Sequence, residues 1–277
     1  MENPDDIWRQ IVLSEGKDSQ LVDDLRIALV KKSALSKLFV ILQYVKQLTK
    51  EEKSIRILDY GCGGGQLLTY LRILGYKNVI GIDVGSLEAN NKLNTTHRNM
   101  GFKSDVFFSY DGTTSLPFNN SSFDIIISQQ VLEHVHNVEQ YLFECRRVLD
   151  DDGKILLDFP HRVVPFDTHT QMWFVHYFPI TIRRYFYNKY RNNNAQKYAD
   201  SLNLRPIWFY KTLLNKMFSS TIDMTCDRIG VFAYKDNYEG SIRLRVFFDK
   251  LMSVPLVGRY VKKILSIFAN ATLVVTK

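Results

Sequence analysis

The chain has 277 residues, 45% of them hydrophobic, and a formal net charge of +7. No apolar run approaches the roughly 18 residues of a membrane-spanning helix, so the composition predicts a soluble globular protein. Its three cysteines, Cys62, Cys145 and Cys226, lie far apart without a C-x-x-C pair. This spacing argues against a disulfide framework and against a structural zinc site.

The charge is distributed unevenly along the chain. Residues 1–160 contain 18 Lys and Arg against 22 Asp and Glu, whereas residues 161–277 contain 18 against 7. The excess of basic residues in the C-terminal part favours an acidic partner for it, with a solvated basic surface as the alternative. The first residues, MENPDDIWRQ, do not combine a basic segment with an apolar core, so we predict no secretory signal and a cytoplasmic location.

Helices and short apolar strands alternate over the first 160 residues. Apolar residues at three- and four-residue intervals from Leu21 to Val45 predict one or two amphipathic helices that end near Thr49. Such short strands separated by helices are typical of a parallel, doubly wound sheet. The predicted strands are 55–59, 79–83, 105–109, 123–128 and 154–159, and the predicted helices between them are 65–75 and 86–100.

The alternation stops after Pro160. Residues 161–219 are rich in aromatic and basic side chains and predict a mainly helical insertion, with an exposed loop at RNNNAQ. Strand character returns at 221–229 and 271–277, on either side of a basic amphipathic stretch at 241–268. We therefore predict an N-terminal helical segment (1–50), a cofactor-binding core (51–160), a substrate-binding insertion (161–219) and the end of the core sheet with a basic insertion (220–277).

A glycine-rich turn, Gly61 to Gly65, follows the first predicted strand. It lacks the lysine of a phosphate-binding loop and the glycine spacing of a dinucleotide loop. Asp83 ends the second strand, where a carboxylate can accept hydrogen bonds from a ribose diol. Asp111 and Gly112 follow the third strand, where a carboxylate can accept from an adenine amino group. These features predict a nucleoside ligand without a phosphate.

Five segments extend this pattern in order over roughly residues 50–160: LDYGCGGG, VIGIDV, YDGTTSLPF, FDIIISQQVLEHV and RRVLDDDGKILLDFP. Together they resemble the motifs of the class I S-adenosylmethionine-dependent methyltransferases, with a type 11, UbiE-like core. The resemblance implies a Rossmann-like sheet of seven strands whose last strand, 271–277, is antiparallel. It also implies S-adenosylmethionine as cofactor and S-adenosylhomocysteine as product. The sulfonium of this cofactor is cationic, and a lysine in the turn would repel it.

The resemblance assigns cofactor contacts to particular residues. Asp59 and the turn would surround the methionine part and the ribose, and Asp83 and Val84 would lie at the ribose. Asp111 and Gly112 would lie at the adenine. The turn residues are Gly61, Cys62, Gly63 and Gly65, and the residues implied near the methionine end are Ser128 and Gln129.

An oxygen acceptor of the methyl group must also lose a proton to a nearby base. Candidates just past the fifth strand are His161, Asp167, His169 and His176. His134, in VLEHV, is interpreted as a packing residue. Because no acidic cluster accompanies Asp167 and His169, the sequence predicts no metal site.

The acceptor is predicted from residues 160–179. PHRVVPFDTHTQMWFVHYFP is similar to the segment after the fifth strand in methyltransferases of bacterial surface-glycan gene clusters. With the basic C-terminal half, it predicts O-methylation of a sugar hydroxyl on an acidic or lipid-linked glycan. The alternatives are a small aromatic or quinone-like acceptor and a cofactor-binding scaffold without catalysis.

Two partner predictions accompany the acceptor. No nucleic acid is expected, because the chain lacks an N-P-P-Y motif and a recognisable RNA-binding module. The stretch 241–268 either contacts the inner face of an anionic membrane or packs on the sheet.

Overall fold

The computed structural model describes residues 4–30, 38–112, 115–167, 172–190, 202–232, 250 and 254–277. Its strands are β1 (Arg56–Tyr60), β2 (Asn78–Asp83), β3 (Phe107–Ser109), β4 (Phe123–Gln129), β5 (Leu149–Phe159), β6 (Phe166–Asp167), β7 (Met172–Trp173), β8 (Ser220–Asp223) and β9 (Ala271–Thr276). Its α-helices are α1 (Pro4–Leu13), α2 (Ser19–Val30), α3 (Phe39–Thr49), α4 (Gln66–Ile73), α5 (Leu87–Asn99), α6 (Val138–Val148), α7 (Ile180–Tyr190), α8 (Ile207–Met217), α9 (Thr225–Phe232) and α10 (Pro255–Ile267). Short 3-10 helices lie at Leu132–His134 and Val175–Tyr177.

Seven strands form one sheet in the order β3-β2-β1-β4-β5-β9-β8, and β6 and β7 form a separate hairpin. The pairs from β3 to β5 are parallel, whereas β9 runs antiparallel to both of its neighbours, β5 and β8. The predicted seven-stranded, doubly wound sheet with an antiparallel last strand is therefore confirmed. The antiparallel strand is internal, because β8 lies outside it at the edge.

The central strands supply two hydrophobic cores on opposite faces of the sheet. Ile57, Ile125 and Leu156 belong to the core that α1 to α5 cover. Leu58 and Ile126 belong to the core that α6 and α8 cover. Successive side chains of a strand point to opposite faces, so a strand covered on both sides needs apolar residues at nearly every position. This explains the continuous apolar runs in the sequence.

Helix α1 lies within the predicted N-terminal helical segment, although no particular helix was predicted before Leu21. Its Asp5 carboxylate accepts hydrogen bonds from Gln66 Nε2 at 2.6 Å and from the Tyr70 hydroxyl at 2.9 Å, both on α4. The Trp8 ring meets the His97 ring of α5 edge to face, with centroids 6.3 Å apart. These contacts place α1 beside the helix that follows the glycine turn.

The strand predicted at 221–229 is wrong in its second half. β8 ends at Asp223 and α9 begins at Thr225. Asp223 Oδ1 accepts a hydrogen bond from the Thr225 N–H at 2.9 Å, which favours the start of a helix directly after the strand. The predicted RNNNAQ loop lies outside the described residues, as do 241–249 and 251–253 of the basic stretch.

The parallel register brings the carboxyl ends of β1, β2, β4 and β5 to one edge of the sheet. Asp59 on β1 lies opposite Gly81 on β2 and Ile127 on β4. The strand order reverses between β1 and β4, so a crevice opens at this edge where open α/β sheets bind their ligands. The glycine turn begins at this point.

Candidate cofactor-binding site

The glycine turn is bonded to the end of β2 and has no room for side chains at two of its positions. The N–H groups of Gly61 and Cys62 donate to the Ile82 carbonyl at 2.8 and 3.2 Å. Gly61 and Gly65 have φ of +90° and +72°. A Cβ at Gly61 would lie 2.2 Å from Val131, and one at Gly65 would lie 2.6 Å from the Phe107 ring. Glycine is therefore required at both positions for conformation and for space.

The middle of the turn is open. A Cβ at Gly63 or Gly64 would meet nothing within 4 Å. The Gly63 N–H donates to Asp83 Oδ2 at 2.7 Å, so the carboxylate at the end of β2 is bonded directly to the turn. A carboxylate has about four lone-pair sites, so Asp83 retains capacity to accept from a ligand diol.

Asp59 is a buried acid with an unsatisfied oxygen. Its side chain is 3% exposed, and Oδ2 has no hydrogen-bond partner among the described residues. Burial, together with the nearby Asp83 carboxylate, raises the pKa of Asp59 to about 7. A cation or a hydrogen-bond donor in the crevice would satisfy this oxygen, so the site fits a positively charged ligand.

Two cavities meet at the turn. The first, of about 780 Å³, contains Gly61, Gly63, Asp83, Val84 and Gly112 in its wall. The second, of about 700 Å³, contains Asp59, Gly61, Cys62 and Gly64, together with Asp5, Trp8 and Arg9 of α1. Gly61, Gln129 and Gln130 contribute to both, so one elongated ligand can extend from one cavity into the other.

Three of the predicted cofactor residues, Gly65, Asp111 and Ser128, do not line these cavities. The Ser128 side chain is 1% exposed and accepts a hydrogen bond from the Tyr141 hydroxyl at 2.8 Å. Asp111 is exposed and precedes Gly112, which does line the first cavity. Their assignment as cofactor contacts stays a prediction, as it does for the other predicted site residues.

Cys62 lines the second cavity but is not an activated thiol. Burial raises its pKa well above the ordinary range, with the Asp59 and Asp83 carboxylates adding to the shift. The thiol is therefore neutral and acts as a small apolar group in the wall.

Sequence reasoning missed an aromatic part of the first cavity. Tyr60 and Tyr141 stack with centroids 4.3 Å apart, and the Tyr60 and Tyr110 hydroxyl groups lie 2.7 Å apart. Gln130 was also missed; its φ is +55°, and its N–H donates to the Asp158 carbonyl at 2.7 Å. No local signal reveals these neighbours, because the tyrosines come from three different elements.

Three of the four predicted proton acceptors, His161, Asp167 and His176, do not line either cavity. His161 is 2% exposed, its Nδ1 accepts from the Val163 N–H at 3.3 Å, and burial lowers its pKa to about 4. His176 is also buried, and its Nε2 is bonded to the Val164 carbonyl. Buried Asp167 accepts from the Tyr187 hydroxyl at 3.3 Å. His169 lies outside the described residues.

Two other histidines contribute to the first cavity, His134 and His136. His134 ends the 3-10 helix after β4, and the sequence had predicted only packing for it. It lies next to the cavity because β4 ends at the carboxyl edge of the sheet. Within the described residues, no group of three or more His, Cys, Asp and Glu side chains could bind a metal.

The sheet order, the glycine turn and the acids on β1 and β2 are those expected of a class I S-adenosylmethionine-dependent methyltransferase domain. Residues 58–157 match the family model described as "Methyltransferase domain". The predicted class and its cofactor are therefore confirmed for this domain.

Curated relatives match about two fifths of the chain. The "Ubiquinone biosynthesis O-methyltransferase" of Roseobacter denitrificans is 35% identical over 103 residues, which are 36% of this chain and 39% of that protein. The mitochondrial protein of that name from Rattus norvegicus is 32% identical over 111 residues, 39% and 31% of the two chains. The chain thus spans less than half the length of these relatives.

A methyltransferase structure from Galdieria sulphuraria matches 91% of this chain and 86% of its own, with a TM-score of 0.50 and 12% identity. At this identity, the match shows a shared fold.

The raised pKa of Asp59 predicts a pH-dependent stability. The unfolded carboxyl ionises near pH 4, but the folded one ionises only near pH 7. The contribution of Asp59 to stability is therefore greatest below pH 4 and is lost as the pH rises to 7, by up to about 1.4 kcal/mol per unit of pKa difference. We expect this loss in the parent protein and not in Asp59→Asn, measured by urea unfolding between pH 4.5 and 7.5.

Asp105→Asn is the control for removing a half-exposed carboxylate. If the free energy of unfolding changes equally with pH in the parent protein and in Asp59→Asn, the raised pKa of Asp59 is contradicted.

Proposed function

We propose that this chain is an S-adenosylmethionine-dependent methyltransferase that methylates an oxygen of a small aromatic or quinone-like acceptor. The observation that carries the proposal is the paired carboxylates, Asp59 and Asp83, on either side of a lysine-free glycine turn. The curated relatives named as ubiquinone biosynthesis O-methyltransferases favour this acceptor class over a glycan.

The charges around the turn suit the cofactor. S-adenosylmethionine, when bound, supplies a sulfonium methyl group that an acceptor oxygen attacks in line. Asp83 is proposed to bind the ribose hydroxyls, and Asp59 to face the cationic methionine end. A buried carboxylate near a positive charge is stabilised in its ionised form, so cofactor binding would offset the cost of burying Asp59.

The first testable consequence concerns cofactor affinity. Asp83→Ala removes charge-assisted hydrogen bonds and the bond to the Gly63 N–H. Such bonds contribute about 1.5–3 kcal/mol, so we expect the Kd for S-adenosylmethionine, measured by calorimetry, to rise about 10- to 150-fold.

Asp105→Ala, an acid on the loop before β3 paired with Arg98, is the matched control and should bind like the parent. Failure of the parent protein to bind the cofactor would overturn the enzyme proposal.

The part of the first cavity wall that lies beyond the residues proposed to bind the cofactor supports an aromatic acceptor. Tyr60, Tyr110 and Tyr141 provide ring faces, and Val131 and Val135 add apolar surface. Aromatic rings pack well against such walls, and tyrosine hydroxyl groups can orient a polar substituent. A glycan acceptor is the second reading; exposed Trp173 and Phe174, which could stack on sugar faces, favour it.

Proton removal is proposed for His134 or His136. Both line the first cavity, and an imidazole within hydrogen-bond reach of an acceptor hydroxyl can take up its proton. The hydrogen-bonded, buried ring of His161 is less suited, because its lowered pKa disfavours the protonated form.

We expect methyl transfer from labelled cofactor to catechols and hydroquinones, and not to nucleotide-sugar or lipid-linked glycan fractions.

His134→Ala or His136→Ala should lower kcat about 10²- to 10⁴-fold with unchanged cofactor affinity, because general-base catalysis contributes on this scale. His161→Ala should retain turnover.

Transfer of the label to a glycan fraction, and not to catechols or hydroquinones, would contradict the proposed acceptor class. Full activity of both His134→Ala and His136→Ala would contradict the proposal that one of these histidines removes the proton. Cofactor binding without transfer to any fraction would favour the scaffold alternative.

Contact with an anionic membrane and a cytoplasmic location are part of the proposal. Helix α10 and its ends expose a stripe of apolar side chains, and Arg259, Lys262 and Lys263 lie on the same helix, which has no acidic residue. Such a helix suits the interface of an anionic bilayer. The stripe, between 42% and 69% exposed, consists of Val254, Val257, Tyr260, Ile264, Ile267 and Phe268. Among the described residues, no helix has the length and apolarity to cross a bilayer.

We expect the protein to float with vesicles of phosphatidylglycerol and phosphatidylcholine, and less with phosphatidylcholine alone. Ile264→Asp places a charge in the stripe and should reduce flotation several-fold. Ile222→Asp, at an exposed position on β8, is the control and should float like the parent. Absence of flotation by the parent protein would refute the membrane contact.

A further inference from the structure

A buried chain of hydrogen bonds ends on the last residue of the glycine turn. The Gly65 carbonyl accepts from both the N–H and the hydroxyl of Thr69, at 3.0 and 2.7 Å. Thr69 Oγ1 lies 2.9 Å from His97 Nε2. Both side chains are fully buried, so water cannot replace either partner.

The donors and acceptors in this chain have only one consistent arrangement. Arg72 Nη1 lies 3.0 Å from His97 Nδ1, and a guanidinium can only donate, so Nδ1 accepts. The imidazole proton is then on Nε2, which donates to Thr69 Oγ1. The Thr69 hydroxyl in turn donates to the Gly65 carbonyl. Burial lowers the pKa of His97 to about 3, so the ring is neutral and the tautomer persists at neutral pH.

The same imidazole ring packs behind the turn. It meets the Phe107 ring edge to face, with centroids 4.8 Å apart. Phe107 is the side chain that a Cβ at Gly65 would strike. On another side the ring contacts Trp8, which lines the second cavity. His97 therefore joins the turn, β3 and α1 without itself lining a cavity.

We propose that Thr69 and His97 are positioning residues that keep the glycine turn in its cofactor-binding geometry. The proposal rests on the proposed function, because the geometry matters only if the turn receives the cofactor. The hydroxyl adds a second hydrogen bond to the Gly65 carbonyl beside that of the Thr69 N–H, and the imidazole determines where the hydroxyl points. The open positions Gly63 and Gly64 precede this anchored residue by one or two positions, so a displaced Gly65 would displace them.

A matched pair of variants at position 69 tests the hydroxyl. Thr69→Val keeps the shape and removes the hydroxyl, leaving the His97 N–H without its acceptor. Thr69→Ser retains the hydroxyl. We expect Thr69→Val to raise the calorimetric Kd for S-adenosylmethionine about three- to tenfold and to leave the KM of the acceptor unchanged. Thr69→Ser should restore the parental Kd.

A control variant tests whether a loss of stability alone raises the Kd for the cofactor. Leu214→Ala removes a fully buried side chain in the opposite core and should lower the melting temperature without changing the Kd. If Thr69→Val lowers the melting temperature but binds the cofactor like the parent, Thr69 only packs, and the proposal is wrong.

His97→Phe tests the imidazole, because it keeps an aromatic ring and removes the N–H donor. We expect a similar rise in Kd, and the double variant Thr69→Val/His97→Phe should be no weaker than either single variant, since both break one chain. Additive increases in Kd would contradict the proposal that both residues act through one chain of hydrogen bonds. If the parent protein itself fails to bind the cofactor, the proposed function fails instead, so the two failures are distinguishable.

Discussion

The site depends on the hydrogen bond between the Gly63 N–H and the Asp83 carboxylate. It ties the turn after β1 to the end of β2, and the bonds from Gly61 and Cys62 to the Ile82 carbonyl close the same junction. One anchor thus sets the separation of the two elements that would bind the nucleoside. The glycines at 61 and 65 are required because Val131 and Phe107 occupy the space beside them.

The electrostatics of the site favour a ligand that is cationic or donates a hydrogen bond to Asp59. Asp59 is buried with one oxygen unsatisfied, and a second carboxylate nearby opposes its ionisation. Such an arrangement reduces the stability of the free protein at neutral pH. A ligand that supplies positive charge offsets that cost, so the strain in the free site becomes affinity for the cofactor.

The two cavities differ in the residues that line them. The first has tyrosines and histidines in its wall, whereas the second contains acids, Trp8 and Arg9 from α1. The acceptor class is argued from the wall of the first cavity and from relatives that match less than half of this chain. The aromatic insertion after β5 is where this chain can differ from them, because the matched region ends at residue 157.

The sequence by itself determined the parallel sheet, the glycine turn with its two acids and the class of cofactor. The sheet and the turn follow from local signals, which are continuous apolar runs, a cluster of glycines and acids at strand ends, whereas the class of cofactor follows from the resemblance of five ordered segments to a known family. The tertiary structure decided the rest. It brought Tyr60, Tyr110 and Tyr141 together, placed His134 beside a cavity, and buried His161 and His176 in backbone hydrogen bonds. It also showed α1 beside the turn and β8 ending before α9. Contacts between residues far apart in the chain leave no local pattern, which is why the cofactor could be inferred from the sequence and the acceptor site could not.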